Sequence, residues 1–565
     1  MDRRWRTMTA FGVLIFLFAL LVVRLTYLML FAPAEKIRSI ERTRHLFVVT
    51  EGRRGNIYDR HGVALAVTVP AVEVGVDPKV APSEVREEVL IRLAEILRRP
   101  AVELESAVAG RCAVRPETRW IRLAEAVPEG TFQKISGARL SGIYGNRKFL
   151  RFYPQGSCAC HLVGFVNRDG LACCGVERFA DFFLRGQDGW ILSEKDGRRR
   201  ELCQFRAREV PCQDGHDVRL TIDLAIQRLA EEELARIGEE CRPKSAVILI
   251  SEADTGKLLA LACSPAYDPN FFFRTPIELL RNRAICDCYE PGSVFKIVAV
   301  SAGLEEGIID PRSQFDCSSG QFVWQGQTYS LPKDHSAMGL LELPDVLRKS
   351  SNRASAQIAI RLGPERFYSY VRAFGFGECS GYGFDGEVEG ILRPPKQWDG
   401  LTITRMPMGH AIAVTPLQVH LAMGVICSDG YLFTPRLVEE LTSPDGSRGA
   451  AIGSLLDRPS VRRQVLSRRT VLRMRAMLYN PSDGRAGAWT FACKTGTSQK
   501  IINGRYAHDR HVASCSGFFP VDRPKFLLTI VVDSPEANGG TGWGARYAKP
   551  SFRRIAEKLS HSYLP

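Results

Sequence analysis

A chain of 565 residues is too long for one ordinary domain, and 45% hydrophobic with 24% charged residues is the balance of a folded protein, which excludes a disordered polyelectrolyte. The formal net charge of +14 arises from 76 Lys and Arg interleaved with 62 Asp and Glu, with no basic block or nucleic-acid motif. No nucleic-acid partner is therefore expected; a membrane surface, an acidic polymer or plain solubility accounts for the charge.

Arg3, Arg4 and Arg6 precede an uncharged apolar run, Thr7 to Val23, and apolar character resumes after Arg24 through Phe31. Because a helix needs roughly 20 residues to cross a bilayer, residues 9–31 are expected to form a single membrane-spanning anchor. The arginines hold residues 1–8 as a cytoplasmic tail and leave the rest of the chain outside. Arg24, near the outer end, can lead its guanidinium to the interface along its own stem. Ala32-Pro33-Ala34 resembles a signal-peptide cleavage site, but a secretory apolar core runs only about 7 to 15 residues, so a retained anchor is expected.

Beyond the anchor, "RRGNIYDRHGVALA" (residues 53–66) predicts a turn-rich strand entry punctuated by Asp59 and Gly62. Asp59 and Arg60 are expected to form an ion-paired structural turn. Residues 83–97 carry a helical pattern, with Ser83 as N-cap and Val85, Val89, Leu90, Leu93, Ile96 and Leu97 on the apolar face. "RFYPQGSCACHLVGFVNRDG" (151–170) and "GVERFADFFLRGQDGW" (175–190) are glycine-rich and mixed in period. Residues 32–213 are expected to be an irregular α+β pedestal.

Composition changes near Gln213, and residues 214–565 are expected to be a second domain. Residues 217–234 predict a strand and an amphipathic helix, and 245–262 a hairpin turning at Asp254-Thr255-Gly256. Near the other end, "FACKTGT", "ASCSGFF" and "FLLTIVVDS" predict three strands, and "PSFRRIAEKLSHSY" a closing helix that starts at Pro550. The whole is α+β, with an antiparallel sheet assembled from both ends of this domain and flanked by helices. Sixteen cysteines, several in close pairs such as Cys158 with Cys160, Cys173 with Cys174 and Cys286 with Cys288, show no regular framework and no zinc spacing. Buried free thiols or a few unassignable bridges are expected.

The chemistry concentrates in "YEPGSVFKIVAV" (289–300). Pro291 and Gly292 make a turn, and Ile297, Val298, Val300, Ala302 and Leu304 then form a helix apolar nearly all round, hence buried. Ser293 and Lys296 share one helix face. Burial lowers a lysine's pKa, and only the neutral amine accepts a proton. A capped helix with a snorkelling lysine is what this motif alone favours, since S-x-x-K occurs often by chance, so the catalytic reading needs companions. Ser350-Ser351-Asn352 follows in a loop before a helical stretch. Lys494-Thr495-Gly496-Thr497 then offers a cation, hydroxyls and a glycine that admits a close backbone approach. S-x-x-K, S-x-N and K-T-G in this order are the signature of penicillin-recognising serine acyl enzymes.

With these motifs, and with "RRGNIYDRHGVALA", "RFYPQGSCACHLVGFVN", "GVERFADFFLRGQDG" and "GHAIAVTPLQVHLAMGVICSDG" (409–430), the chain resembles the class B penicillin-binding proteins over nearly its whole length. Tyr289-Glu290-Pro291-Gly292 and the single anchor look most like the septal, FtsI-type branch, with the elongation type as the near alternative. The resemblance implies a dimerisation-type pedestal and a peptidoglycan D,D-transpeptidase that acts on stem peptides ending in D-alanyl-D-alanine. It implies that Lys296 takes the Ser293 proton and that the amides of Ser293 and Thr497 form the oxyanion hole. Lys494 and Thr497 hold the substrate carboxylate, Ser350 relays a proton to the leaving group, and Asn352 orients Lys296 and the substrate amide. β-Lactams would remain attached to Ser293. Expected partners are the membrane, a SEDS-type glycosyltransferase and other divisome proteins; no cofactor or metal is called for, since neither a P-loop, a dinucleotide fingerprint nor H-E-x-x-H occurs.

Two rival readings are a β-lactamase or carboxypeptidase, and a non-catalytic penicillin sensor or scaffold. The first lacks its E-x-x-L-N pattern between Asn352 and Lys494; against the second, every reactive residue type is intact. Cys286 and Cys288 flank Asp287 where the family leads one to expect hydroxyl residues, and Cys493 precedes Lys494, which raises the question of redox sensitivity.

Overall fold

The computed structural model describes residues 2–31, 44–80, 83–196, 201–383, 386–446, 461–483, 489–502, 504–536 and 544–564. They fall into two compact units, Met1–Arg53 with Gly186–Asp214 and Arg54–Arg185 with Gly215–Pro565.

The first unit opens with the 30-residue helix Asp2–Phe31. Its stretch Arg4–Phe31 has a mean hydropathy of 2.6 and no buried residues in its apolar window, and is long and apolar enough to cross a membrane. Helical structure reaches back to Asp2, so the residues expected as a tail continue the same helix. The unit also holds a small sheet. His45–Thr50 pairs antiparallel with Gly189–Lys195, with Phe47 stacked on Trp190 at 5.8 Å, and Glu201–Leu202 and Arg208–Val210 pair with that second strand.

In the second unit, the long strand Ala64–Val76 pairs antiparallel with Ile57–Tyr58, Ile121–Val127 and Ile143–Phe152. Val72, Val74 and Val76 alternate onto one face and pack there with Leu90, Leu93, Leu104 and Val108 of the helices Ser83–Leu97 and Ala101–Val114. The first of these helices has the expected bounds; the cap expected of Ser83 and the packing of Val85 lie outside the described residues. Ile57–Tyr58 also runs parallel to Asp217–Leu220, which pairs in turn with Val438–Thr442.

The turn-rich entry at residues 53–66 and both glycine-rich stretches converge on one buried carboxylate. Glu177 receives Arg54 Nε at 2.8 Å, Arg151 Nε at 2.6 Å and the Tyr153 hydroxyl at 3.2 Å, and Arg54 also reaches Asp181 at 2.5 Å. Burying that charge is tolerable because each oxygen is paired. The turn at Asp59 differs from expectation. The Asp59 carboxylate accepts from the amides of His61 (2.9 Å), Val63 (2.7 Å) and Leu224 (3.3 Å), while Arg60 pairs with Glu252 at 3.2 Å. Backbone donors within reach satisfied the aspartate and left the arginine to a distant strand.

The second sheet is antiparallel throughout, in the order Leu258–Ser264, Ser245–Glu252, Phe526–Asp533, Arg505–Phe519, Ala492–Ile502. Both of its faces are covered, which makes its strands apolar on both sides. Ile248 and Ile250 pack with Leu528, Ile530 and the helices Leu224–Cys241 and Gly544–Tyr563, through Ile226, Leu234, Phe552 and Ile555. Val247 and Leu249 belong to the opposite core with Val298, Val300 and Met423. The closing helix begins at Gly544 rather than Pro550, which lies inside it. The buried stripe Tyr547, Ala548, Phe552 and Ile555 spans the proline, so packing outweighs the missing N–H. All 16 cysteines are free thiols.

Candidate active site

The nucleophile's turn is clamped by backbone. Gly292 has φ of +61° and Gly409 of +84°, and the Gly292 amide donates to the Gly409 carbonyl at 3.2 Å. A Cβ on Gly292 would lie 2.7 Å from the Thr497 carbonyl oxygen, so only glycine lets these three segments meet. Ser293 lies on a 3₁₀ turn, Gly292–Phe295, and the α-helix Lys296–Glu305 follows. That refines the expected single helix usefully, because side chains three apart eclipse on a 3₁₀ turn and Lys296 is brought over Ser293. Between Pro291 and Val300, Ser293 is the one residue that is not fully buried.

Lys296 is 0% exposed. Its Nζ lies 2.9 Å from Ser293 Oγ, 3.0 Å from Ser350 Oγ, 2.6 Å from the Ser350 carbonyl and 2.7 Å from Asn352 Oδ1. Burial, then the charge of Lys494, hold its pKa well below the ordinary lysine value, with Asp334 opposing. A neutral amine has two hydrogens and one lone pair. Two partners, the Ser350 carbonyl and Asn352 Oδ1, can only accept. The lone pair is thereby left facing the two hydroxyls, which is the arrangement a base needs. Asn352 Nδ2 donates to the Lys333 carbonyl at 2.8 Å, which fixes the amide with its oxygen toward Lys296.

Ser350 adopts φ of +59°, a left-handed conformation uncommon outside glycine. It delivers both its carbonyl and its hydroxyl to Lys296. Two contacts sustain it. Asp334 accepts from Ser351 Oγ at 2.9 Å and from the amides of Asn352 (2.5 Å) and Arg353 (3.2 Å), while Ser351 caps the helix Asn352–Leu362. Asp334 is a site residue that sequence reasoning missed, as is neighbouring His335, whose pKa is lowered by burial and then by the charges of Lys296 and Lys494.

Lys494 completes the set. Its Nζ is 3.0 Å from Ser350 Oγ and 3.1 Å from the Thr495 carbonyl, so one hydroxyl sits between two amines. Burial lowers the Lys494 pKa to about 8, which leaves it able to carry a proton at neutral pH. The strand bearing it is the sheet's edge. At Gly496 a Cβ would meet the Pro291 carbonyl oxygen at 2.7 Å and Val294 Cγ2 at 2.9 Å; the room there is taken by the nucleophile's own turn. Thr497 Oγ1 accepts from the Gly544 amide at 2.9 Å. The structure thus gathers Ser293, Lys296, Ser350, Asn352 and Lys494 into one hydrogen-bonded cluster, with Thr495, Gly496 and Thr497 on the strand beside it. Such a cluster can activate a hydroxyl and hold an anion next to it.

Glu290 stands at the mouth, where it accepts from the Ala411 amide at 2.9 Å and the Tyr506 hydroxyl at 3.1 Å, with His410 Nδ1 at 3.3 Å. Cys286, one of the cysteines that raised the question of redox sensitivity, donates its thiol to the Asn282 carbonyl at 2.9 Å, and burial raises its pKa.

The penicillin binding protein transpeptidase domain matches residues 246–557, and the penicillin-binding protein dimerisation domain residues 49–220. Over 558 residues the chain is 28% identical to the probable peptidoglycan D,D-transpeptidase PenA of Neisseria gonorrhoeae, covering 95% of this chain and 89% of that protein. It is 28% identical over 559 residues to the peptidoglycan D,D-transpeptidase FtsI of Escherichia coli, covering 98% and 90%. Among solved structures, penicillin binding protein 3 of Mycobacterium tuberculosis complexed with aztreonam superposes with a TM-score of 0.67 at 26% identity, over 91% of this chain and 97% of that one. The two matched domains, in this order on one chain and with the three motifs converging on Ser293, identify a member of the penicillin-binding protein transpeptidase family, of class B.

Proposed function

We propose that this chain is a peptidoglycan D,D-transpeptidase working through an acyl-enzyme on Ser293. The observation that carries the reading is the placement of Lys296, whose Nζ lies 2.9 Å from Ser293 Oγ while the Ser350 carbonyl and Asn352 Oδ1 stand ready to accept the two N–H groups of its neutral form. Lys296 takes the Ser293 proton as Oγ attacks the penultimate carbonyl of a stem peptide ending in D-alanyl-D-alanine. The amides of Ser293 and Thr497 stabilise the oxyanion, a contribution of about 3 kcal/mol for one such donor in other enzymes. Protonated Lys494, with Thr495, Gly496 and Thr497 along the strand edge, holds the terminal carboxylate. Ser350, between the two lysines, relays the proton to the departing D-alanine, and Asn352 keeps Lys296 in place. A stem-peptide amine then displaces Ser293, restoring the hydroxyl and closing the crosslink. No step calls for a cofactor or a metal.

A β-lactam would acylate the same oxygen as a substrate mimic; the solved relative with aztreonam supports this. Mass spectrometry of penicillin-treated protein is expected to find the adduct on Ser293, and Ser293→Ala is expected to abolish it. An adduct elsewhere overturns the mechanism.

The finer reading is a division enzyme. The helix Asp2–Phe31 anchors it in the cytoplasmic membrane, with Arg3, Arg4 and Arg6 inside and the catalytic domain outside, acting beside a SEDS-type glycosyltransferase and other divisome proteins. Residues 32–213 serve as the pedestal and 214–565 as the transpeptidase domain. Resemblance at Tyr289-Glu290-Pro291-Gly292 supports the septal branch. A fluorescent fusion gathering at midcell is the expected result; a lateral-wall pattern assigns it to elongation instead.

A further inference from the structure

Cys493 stands on the edge strand of the antiparallel sheet, immediately before Lys494. In the ladder with Arg505–Phe519, Cys493 faces Gly517, Lys494 faces Ser516 and Thr495 faces Cys515. Side chains alternate along a strand, so Cys493 and Cys515 are diagonal neighbours on one face of the sheet, while Lys494 leaves from the other toward Ser350. Both cysteines pack in the core beneath the closing helix Gly544–Tyr563, Cys515 fully buried and Cys493 partly so. Gly517 keeps the diagonal open: a Cβ there would lie 2.5 Å from Cys493 Cβ. Burial, and then the hydrogen bond between the two thiols, raise the Cys515 pKa. Cys493 is therefore the thiol that an outside reagent meets first, with Cys515 waiting behind it.

We propose that Cys493 and Cys515 form a thiol–disulfide modification site, and that joining them shifts the edge strand and lowers acylation at Ser293. The inference rests on the transpeptidase reading above and adds a reversible control to that same site. The co-reactant is a small-molecule or protein disulfide. The Cys493 thiolate attacks one of its sulfurs, the S–S bond breaks and one thiolate leaves. Cys515 then gives up its proton and attacks the Cys493 sulfur, which expels the second thiolate. The two cysteines lose two electrons, and the reagent gains them as two thiols. Diagonal neighbours in an antiparallel pair ordinarily stand about 7 to 8 Å apart at Cα, whereas a disulfide holds its Cα atoms at about 4.4 to 6.8 Å. Closing the bond therefore moves backbone. The edge strand is the one that gives, because it is paired on one side only, and it carries Lys494, whose Nζ must stay 3.0 Å from Ser350 Oγ.

The test incubates the reduced full chain in detergent with glutathione disulfide, then reads two quantities. Mass spectrometry of an unreduced digest is expected to find a peptide linking Cys493 to Cys515. Acylation by a fluorescent penicillin is expected to fall about tenfold or more, since a misplacement of 1 Å can cost about 100-fold, and to return with dithiothreitol. Cys493→Ser is expected to form no such link and to keep its rate through the treatment. Absence of the link in the wild type, a link that leaves the rate unchanged, or an equal fall in Cys493→Ser overturns the proposal. Should that variant fail to fold, the wild type decides alone, because a loss that dithiothreitol does not reverse also overturns it. If the reduced protein is never acylated, the transpeptidase reading fails instead, while the linked peptide still reports on the cysteine pair.

Discussion

Asn352 Oδ1 stands 2.7 Å from Lys296 Nζ, with its amide nitrogen fixed on the Lys333 carbonyl. A neutral acceptor there is compatible with a neutral base. Asn352→Asp would place a negative charge at the same distance, favour the ammonium form and raise the lysine's pKa. Acylation by a fluorescent penicillin at pH 7 is expected to fall by about 100-fold, in the range that general-base contributions span, and to recover partly as pH rises. A pH-independent loss would contradict this.

The two lysines set opposite limits on pH. Lys296 must be neutral to take a proton, and its depressed pKa makes that form available far below the usual lysine range. Lys494 must be charged to hold a carboxylate, and it loses its proton near pH 8. The second-order acylation rate is therefore expected to rise with pH as Lys296 deprotonates and to decline above about pH 8. Stopped-flow fluorescence across pH 5 to 10 checks both limbs.

Asp334 holds Ser351 Oγ and the amides of Asn352 and Arg353. Asp334→Ala leaves those donors without their acceptor and frees Ser350 from its left-handed conformation. The expected cost is about 1 to 3 kcal/mol of stability, read by urea denaturation, with a larger proportional loss in acylation because the Ser350 carbonyl and hydroxyl leave Lys296. Equal losses in both would assign Asp334 a purely structural part.

Gly496→Ala would push a methyl into the Pro291 carbonyl, Val294 and Ser514 Oγ. Overpacking of this kind costs about 1 to 3 kcal/mol. Here it acts on the nucleophile's turn itself, so acylation is expected to be lost while the protein remains folded by circular dichroism. Retained acylation would show that the strand and the turn can separate freely.

Cys286→Ser with Cys288→Ser is expected to leave acylation at the wild-type level under oxidising and under reducing conditions. The Cys286 thiol is tied to Asn282 and its pKa is raised, which keeps it in its unreactive form at neutral pH.

Much of this was legible in the residues. The hairpin at Asp254-Thr255-Gly256, the strand set from both ends and the buried helix after Ser293 all announce themselves by local period and turn chemistry. So do the three motifs, whose residue types are dictated by the reaction. What stayed hidden depends on distant partners. Asp334 lies in a loop with no spacing rule to tie it to Asn352, Arg60 finds Glu252 far along the chain, and Pro550 is tolerated inside a helix only because a buried stripe spans it.

The antiparallel sheet places Ile248 opposite Ile530, half a chain away. In a chain made from its N-terminal end, Ser293 appears long before Lys494 and the strands that follow it. The apolar strand Ser245–Glu252 must then wait with one edge unpaired, which makes the incomplete chain prone to aggregation. Chain order thus doubles as a timer: the cluster around Ser293 is complete only once Lys494, late in the chain, has joined it.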